Sequence, residues 1–486
     1  MFFDVDIYHH SLNWMNPWRN ILFDLLKYKS NPILITKETI YTADSLWTLS
    51  RLWKELLAKF SLKKGDTILL HLPKSEHLLA NIINGLFQSY PLILANPKWD
   101  LWEIKKQTNP KIIITDKNNF EYFSHFMKEK QYEFIRVLNQ DFVIIHLPEG
   151  NNIEEVVFFL RTSGTHSPKW IGLTNREIFF NINVHSKIFE EYSIVLSILP
   201  WFHSFGLILD LLSTFLKKSY IIIDENHGKD IEYIDFLFEK FLFRHLSMVP
   251  LTLEKLIENG YESILFHLNS GIIGGAKIPS KYLPLLKNTK LRVGYGQTEA
   301  GPGISIGEPG DWENNYVGRI LCDVMISEDG EILYHGDNVY QYELKDGSII
   351  KYDSNRWVSS GDLGFLIDDR LYYEGRKSYI FKLKNGRWFN PLLIEEQIKR
   401  EYQIDHCIIL NDNHVGLIVI FSNDIRTTYL IPLIEKTLLY AIRPYIKAII
   451  TIQKEEFFKT NKGDYDRLKI YKYVVGRYGL HDYRVK

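Results

Sequence analysis

The chain has 486 residues, with 58 lysines and arginines against 59 aspartates and glutamates, which gives a formal net charge of −1. That balance argues against a dedicated nucleic-acid-binding protein, which usually carries a basic excess. Hydrophobic residues make up 45% and charged residues 24%, as in ordinary folded proteins, and the length suggests two to four structural units. Two cysteines cannot form a disulfide framework, and they predict a reducing compartment.

No stretch approaches the roughly 20 uninterrupted apolar residues of a membrane-spanning helix. The first ten residues, MFFDVDIYHH, lack the basic start and apolar run of a signal peptide. The last three, RVK, are not a peroxisomal address. We therefore expect a cytoplasmic protein without a membrane span.

Short β-branched runs alternate with amphipathic stretches over the first two-thirds of the chain. Strands are predicted at 67–72, 111–115 and 220–224, and helices at 75–87 and 231–243. Such alternation is typical of a largely parallel sheet with helices on both faces.

From about residue 317 the pattern changes to short strands with turn signals at 328–331, 345–347 and 368–370, which predicts a β-rich subdomain. After residue 375 comes a compact segment of about 110 residues, with strands at 405–410 and 414–421 and helices at 392–402 and 428–443. The predicted division is an N-terminal domain at 1–375 and an α+β C-terminal domain at 376–486.

The first motif follows the strand predicted at 156–160. Hydroxyls, a glycine and a lysine on a loop after a strand are what a phosphate cradle needs. Those residues are Thr162, Ser163, Gly164, Thr165 and Lys169. Alone, such a segment is more often a polar turn.

The second motif places His203 among aromatic residues on a loop after the strand at 195–199, where it could line a substrate pocket. A lone histidine is more often a structural residue.

The third motif joins a Gly-rich turn at 274–279 to the sequence YGQTE at 295–299. Small residues let a planar ligand lie against the backbone, and Tyr295 could stack on it. Thr298 and Glu299 could serve a phosphate and a divalent cation, because Mg²⁺ takes carboxylate and phosphate oxygens. The alternative is a plain glycine turn.

The fourth motif is SGDLG at 360–364, about a dozen residues before Arg376. Asp362 can accept hydrogen bonds from two ribose hydroxyls, and a nearby arginine can add a second contact. Alone, this motif reads as a surface turn.

Together the motifs resemble the adenylate-forming superfamily of acyl-CoA synthetases, peptide-synthetase adenylation domains and luciferases. The resemblance rests on TSGT…PK, PWFHSFG, GGAKIP, YGQTE, SGDLG…GR and KTNKGDYDR, in this order between about residues 33 and 468. It implies an α/β fold with a large N-terminal domain of two α/β sheets plus the β-rich subdomain. It also implies a small mobile α+β C-terminal domain that pivots near Lys377 and Ser378.

The resemblance assigns roles to matching positions. It implies a phosphate loop of Thr162, Ser163, Gly164, Thr165 and Lys169; a nucleotide site of Gly274, Gly275, Ala276, Tyr295, Gly296 and Thr298; a ribose clamp of Asp362 and Arg376; Mg²⁺ at Glu299; His203 and Glu299 in catalysis; and Gly386 at a thiol tunnel. The implied reaction is ATP-dependent activation of a small carboxylic acid as an acyl-adenylate. Transfer to the thiol of coenzyme A, or of an acyl or peptidyl carrier protein, follows. The apolar stretch at 207–212 favours an acid without a free amine.

Two positions depart from the family pattern. The phosphate loop TSGTHSPK has eight residues instead of the nine of TSGTTGxPK, and it lacks the second glycine. In the C-terminal motif KTxxGKxxR, the position of the bridging lysine is Asp464. Lys462, two residues earlier, is the candidate substitute cation, because positions i and i+2 of an extended segment face the same side.

Three hypotheses follow. The first is an acid–thiol ligase, with reduced adenylation as a result of Asp464. The second is a catalytically impaired relative that binds nucleotide or acyl-adenylate and acts as a binding or regulatory module. A luciferase-like oxidase is the third. The shortened loop and Asp464 favour the second hypothesis, and the intact Thr298, Glu299, Asp362 and Arg376 favour the first.

Overall fold

The computed structural model describes residues 16–27, 30–123, 132–162, 168–188, 190–383, 388–412, 416–460 and 464–478. Within these ranges, no helix combines the length and apolar character needed to cross a membrane.

The strands lie in three large sheets and two small ones. They are β1 (Pro32–Ile35), β2 (Ile40–Thr42), β3 (Ile68–His71), β4 (Leu92–Leu94), β5 (Ile112–Asp116), β6 (Tyr132–Val137), β7 (Gln140–His146), β8 (Val156–Arg161), β9 (Trp170–Thr174), β10 (Ile194–Ser197), β11 (Tyr220–Ile223), β12 (His245–Leu246), β13 (Ile272–Gly274), β14 (Arg292–Gly296), β15 (Gly303–Ile306), β16 (Tyr316–Ile320), β17 (Asp323–Ile326), β18 (Glu331–His335), β19 (Tyr342–Lys345), β20 (Ser348–Lys351), β21 (Val358–Ile367), β22 (Arg370–Arg376), β23 (Phe381–Lys382), β24 (Trp388–Phe389), β25 (Cys407–Asp412), β26 (Gly416–Ser422) and β27 (Ile446–Ile452).

The helices cover the sheets and connect their strands. They are α1 (Pro17–Leu26), α2 (Ala43–Ala58), α3 (Glu76–Gln88), α4 (Leu101–Thr108), α5 (Lys117–Phe123), α6 (Asn175–His185), α7 (Ser213–Lys217), α8 (Ile231–Phe241), α9 (Pro250–Glu258), α10 (Glu262–His267), α11 (Leu283–Leu286), α12 (Pro391–Tyr402), α13 (Ile425–Lys436) and α14 (Arg467–Tyr478), with a π-helix at Phe205–Leu212 and short 3₁₀ turns that include Thr298–Ala300, Lys377–Tyr379 and Tyr440–Tyr445.

A nine-stranded sheet in the order β20-β19-β9-β8-β4-β3-β5-β7-β6 forms the first layer. Its centre is parallel, because β4 pairs in parallel with β3 and with β8, and β3 pairs in parallel with β5. These central strands are aliphatic and buried on both faces, as expected for a sheet covered on both sides. The carboxyl ends of β3, β4 and β8 therefore meet at one edge, where open α/β sheets bind ligands.

A five-stranded sheet in the order β12-β10-β11-β1-β2 forms the second layer. Helices α2 and α3 and the π-helix contribute to one continuous apolar core that also includes side chains of the nine-stranded sheet. The loop that carries His203 leaves this second sheet after β10.

An eight-stranded sheet in the order β13-β14-β15-β16-β22-β21-β18-β17 carries the remaining motifs. The strands β13 and β14 are parallel, and the others are joined by antiparallel pairs. The predicted turns at 328–331 and 368–370 connect β17 to β18 and β21 to β22. The turn at 345–347 connects β19 to β20, which joins the nine-stranded sheet instead.

The C-terminal segment has a three-stranded sheet in the order β25-β26-β27, covered by α12, α13 and α14. The predicted helix at 428–443 is in fact shorter: α13 ends at Lys436, and a 3₁₀ turn at Tyr440–Tyr445 follows. The helix ends at Thr437, because its φ of −110° and ψ of −94° are not helical. The predicted fold class is confirmed, whereas the boundary at residue 375 and the mobility of the C-terminal part stay predictions.

Candidate active site

The hairpin of β21 and β22 places Asp362 opposite Arg376. Asp362 is 2% exposed, and its Oδ1 lies 3.1 Å from Nε of Arg376. The hydroxyl of Tyr295, on the neighbouring part of the same sheet, donates to Oδ2 of Asp362 at 2.8 Å. The structure therefore brings together three residues that the motifs assign to adenosine.

Gln297 completes this cluster, and sequence reasoning missed it. Its Nε2 donates to Oδ2 of Asp362 at 3.0 Å and to the carbonyl oxygen of Ser360 at 2.6 Å. Gln297 has extended backbone angles, with φ −142° and ψ 158°, so it faces the same side as Tyr295 two residues earlier. The two-residue spacing between Tyr295 and Gln297 is the sequence signal that could have identified Gln297.

The Asp362 carboxyl is held in a polar but desolvated setting. Burial raises its pKa, while Arg376 and the donors from Tyr295 and Gln297 lower it, and the negative charge of Asp464 raises it further. Burial and the neighbouring carboxylate also raise the pKa of the Tyr295 hydroxyl. Tyr295 therefore stays a neutral donor to the carboxylate near neutral pH.

The Gly-rich segments lie at the ends of neighbouring strands. Gly274 ends β13, Gly275 and Ala276 follow it, and Gly296 ends β14, which pairs with β13. A Cβ on Gly296 would stand 1.8 Å from the carbonyl oxygen of Pro302, so the sheet itself demands glycine there. The nucleotide-binding role of these four residues stays a prediction.

Thr298 and Glu299 lie in a 3₁₀ turn, Thr298–Ala300, that begins two residues after the end of β14. The Oγ of Ser204, beside His203, lies 3.4 Å from Oγ1 of Thr298 and links the histidine loop to this turn; sequence reasoning did not single out Ser204. Burial raises the pKa of the Glu299 carboxyl, and the charges of Lys169 and Arg376 lower it. A largely buried carboxylate on which the charges of two cations act is a fitting ligand for a metal–phosphate complex.

The ends of the phosphate loop are tied together at its base. The amide of Thr162 donates to the carbonyl oxygen of Lys169 at 2.8 Å, and the amide of Lys169 donates to Oγ1 of Thr162 at 3.0 Å. Ser163, Gly164 and Thr165 lie outside the described residues.

His203 lies on the loop between β10 and the π-helix. Its ring centre is 4.8 Å from that of Phe202 and 6.5 Å from that of Trp99, and its carbonyl oxygen accepts from the amide of Leu207 at 3.0 Å. A π-helix often marks a functional site, which supports the prediction that His203 faces the acid.

The charge of Asp464 acts on residues that are predicted to bind the ribose or lie beside it. The charge of Asp464 raises the pKa of Asp362, Tyr373 and Tyr379, and the ring of Tyr373 is 6.2 Å from that of Tyr295. Lys462, predicted as the substitute cation, and Gly386, predicted at the thiol tunnel, lie outside the described residues.

Beyond the predicted hinge, two ion pairs of the described residues connect the C-terminal segment to the rest of the chain. Lys459 Nζ lies 2.7 Å from Glu254 Oε2, and Lys277 pairs with Glu396 on α12. Gly375, at the predicted hinge, has a φ of +132°, and a Cβ there would stand 2.3 Å from Leu392. The C-terminal segment therefore contacts the part of the chain that carries the site. The backbone conformation of Gly375 at the predicted hinge is one that residues with a side chain rarely adopt.

The ion pair between Lys459 and Glu254 should protect the hinge from trypsin. We expect Lys459→Glu to speed cleavage at Lys377 by about fivefold, since a half-buried pair is worth about 1 kcal/mol. The double variant Lys459→Glu/Glu254→Lys should restore the wild-type rate, and an acyl-adenylate analogue should slow it. Lys64→Glu, which breaks a surface pair with Glu154, is the control. Cleavage that ignores both the charge swap and the analogue would contradict a mobile C-terminal domain.

The model of the family of AMP-binding enzymes matches residues 26–341. The chain is 25% identical over 424 residues to a 4-coumarate–CoA ligase of Vanilla planifolia, which covers 74% of this chain and 75% of the relative. It is 25% identical over 419 residues to 4-coumarate:CoA ligase 1 of Petunia hybrida, with the same two shares.

Solved structures share the fold at lower identity. O-succinylbenzoate coenzyme A synthetase of Bacillus subtilis, in complex with ATP and a magnesium ion, superposes with a TM-score of 0.70 at 18% identity over 93% of this chain and 99% of that chain. ATP-bound MatB of Rhodopseudomonas palustris gives 0.76 at 16% identity over 95% and 99%. The chain belongs to the family of AMP-binding enzymes.

Proposed function

We propose that the protein activates a carboxylic acid with ATP and transfers the acyl group to a thiol. The observation that carries this proposal is the buried Asp362 carboxylate, contacted by Tyr295, Gln297 and Arg376. It is an acceptor for the two ribose hydroxyls of a nucleotide. Glu299 and Lys169 would then stand at the phosphate end, and the ligase activity named for the relatives supports the same chemistry.

The first step would join the acid to AMP. A carboxylate oxygen attacks the α-phosphorus of ATP, the new P–O bond forms, and the bond to the α,β-bridging oxygen breaks, so that pyrophosphate leaves with the electron pair. Such transfer depends on positioning and charge neutralisation more than on proton transfer. Asp362 and Arg376 would fix the ribose, and Lys169 would neutralise the phosphates.

A magnesium ion fits the residues present. Among the described residues, no group of three or more histidine, cysteine or acidic side chains forms a metal cage, and Mg²⁺ bound to nucleotide phosphates needs only one or two carboxylates. Glu299 would be that ligand. When bound, the ion would neutralise the charge of the phosphates.

The second step would transfer the acyl group to a thiol, with AMP as the leaving group. We propose coenzyme A as the acceptor, because 4-coumarate–CoA ligases are among the relatives; a carrier protein's pantetheine is the alternative. One site can serve both steps if the C-terminal domain presents different faces. For the acid we propose an aryl or acyl acid without a free amine, since the π-helix after His203 is buried from Gly206 to Leu212.

A second candidate function is a module that binds nucleotide or acyl-adenylate without efficient catalysis. The observation that favours it is Asp464, an anion whose charge acts on Asp362 where the family has a bridging lysine. In this case nucleotide binds through the same ribose clamp, and the anhydride forms slowly or not at all.

ATP–pyrophosphate exchange with a panel of acids separates the two functions. The ligase hypothesis predicts exchange that depends on an aryl or acyl acid, followed by release of AMP when coenzyme A is added. Nucleotide binding by calorimetry without exchange for any acid would favour the binding module. Absence of both nucleotide binding and exchange would refute both functions.

A further inference from the structure

Arg161 is the last residue of β8 and directly precedes the phosphate loop. It pairs across the β8–β9 hairpin with Trp170. The next residue, Thr162, closes the loop against Lys169 through the two hydrogen bonds described above. The Arg161 guanidinium therefore belongs to a residue whose backbone is fixed by strand pairing at the base of the loop.

The Arg161 side chain belongs to the same cluster as His203. Its Cζ lies 4.9 Å from the centre of the Trp99 ring, and Trp99 is the residue that also contacts the rings of Phe202 and His203. Trp99 follows β4, whose carboxyl end lies beside that of β8. The guanidinium is thus placed at the ligand-binding edge of the sheet.

Among the described residues, the Arg161 guanidinium has no acidic partner. Its Nε is buried and donates to no acceptor in the described part of the chain, and burial lowers its pKa. Among the described arginines, Arg370 pairs with Asp311 and Arg467 pairs with Glu395. Arg356 resembles Arg161, because it stacks on the rings of Tyr340 and Tyr352 and its buried Nη2 donates to no described acceptor. A partly desolvated cation without a counter-charge is costly, and stacking on an aromatic ring offsets part of that cost.

We propose that Arg161 binds the β- and γ-phosphates of ATP and stabilises the departing pyrophosphate. This inference rests on the proposed function and adds a catalytic residue to it. The shortened loop lacks the second glycine and offers fewer amide donors, so a guanidinium at its base takes over part of the charge neutralisation. Arginine suits this role because its planar fork donates two parallel hydrogen bonds to phosphate oxygens.

The test compares Arg161→Gln and Arg161→Lys with wild type by calorimetry, using ATP, pyrophosphate and AMP. A contact to the outer phosphates predicts that Arg161→Gln weakens ATP and pyrophosphate binding by about 10- to 100-fold, as for a lost charge-assisted hydrogen bond. AMP, which lacks those phosphates, should bind within about twofold of wild type. Arg161→Lys should fall between. Lys105→Gln is the matched control, because Lys105 lies 4.4 Å from the ring centre of the exposed Trp102 on α4.

Each other outcome overturns the proposal. Equal losses for ATP and AMP in Arg161→Gln would make Arg161 a structural residue. Unchanged ATP and pyrophosphate binding would remove it from the phosphate site, and a loss confined to coenzyme A would assign it to the phosphates of the thiol substrate instead. Failure of the proposed function is distinct, because the wild-type protein itself would then bind neither ATP nor AMP.

Discussion

Asp464→Lys is expected to raise the rate of ATP–pyrophosphate exchange at least tenfold. The charge of Asp464 raises the pKa of Asp362, Tyr373 and Tyr379, in the region proposed to bind the ribose. If the side chain at position 464 lay about 4 Å from the α-phosphate, two unit charges at an effective dielectric constant near 20 would interact by about 4 kcal/mol. Solvent and loop motion reduce this value, and a tenfold gain needs only about 1.4 kcal/mol of the barrier.

Three further variants test whether the gain in exchange depends on the charge at position 464, on charge reversal in general, or on Lys462. Asp464→Asn removes the negative charge without adding a positive one, and it should give a smaller gain than lysine. Glu455→Lys makes the same charge reversal on an exposed part of the C-terminal segment, and it should change nothing. Lys462→Ala should slow exchange if Lys462 is the substitute cation. No gain in Asp464→Lys, with Lys462→Ala silent and a fast wild type, would show that this loop is not the catalytic element.

Asp362→Ala is expected to weaken AMP binding by at least about 100-fold. A hydrogen bond to a charged acceptor contributes roughly 1.5–3 kcal/mol, and the carboxylate would lose two such bonds from the ribose. The change also leaves Arg376, Tyr295 and Gln297 without their shared acceptor. Calorimetry with AMP measures the loss, and thermal unfolding verifies that the variant is folded.

The matched control for Asp362→Ala is Asp369→Ala. Asp369 accepts two contacts from Arg319 at 2.6 and 2.8 Å, at the turn that connects the same two strands, β21 and β22. It lies on the surface and should leave AMP affinity unchanged. Equal AMP affinity in the wild type and Asp362→Ala would contradict the ribose assignment.

The local hydrophobic pattern predicted strands and helices well where buried residues recur with the period of one kind of element. The aliphatic run at 111–115 and the amphipathic stretch at 75–87 correspond to β5 and α3, each shifted by about one residue. The contact between Asp362 and Arg376 was expected from the family resemblance. In the structure, a register shift between Leu363 and Gly364 brings the two residues opposite each other, and local pattern does not predict that shift.

Other features could not be predicted from local pattern. Gln297 and Ser204 bear generic polar groups, so only the folded sheet shows that one contacts Asp362 and the other Thr298. Arg161 reads as an ordinary strand end until Trp99, more than sixty positions away, is placed against it. Long-range contacts of this kind depend on topology, which periodicity does not encode.

The position of β19 limits where the chain can be divided. The family match ends at residue 341, and β19, which begins at Tyr342, pairs with β9 through Tyr342, Glu343 and Leu344. A chain shortened at that point would leave β9, whose five residues are all buried, as an open hydrophobic edge next to the phosphate loop. Such edges template intermolecular pairing. The part that carries the family signature is therefore not a separable unit, and its isolated fragment would aggregate.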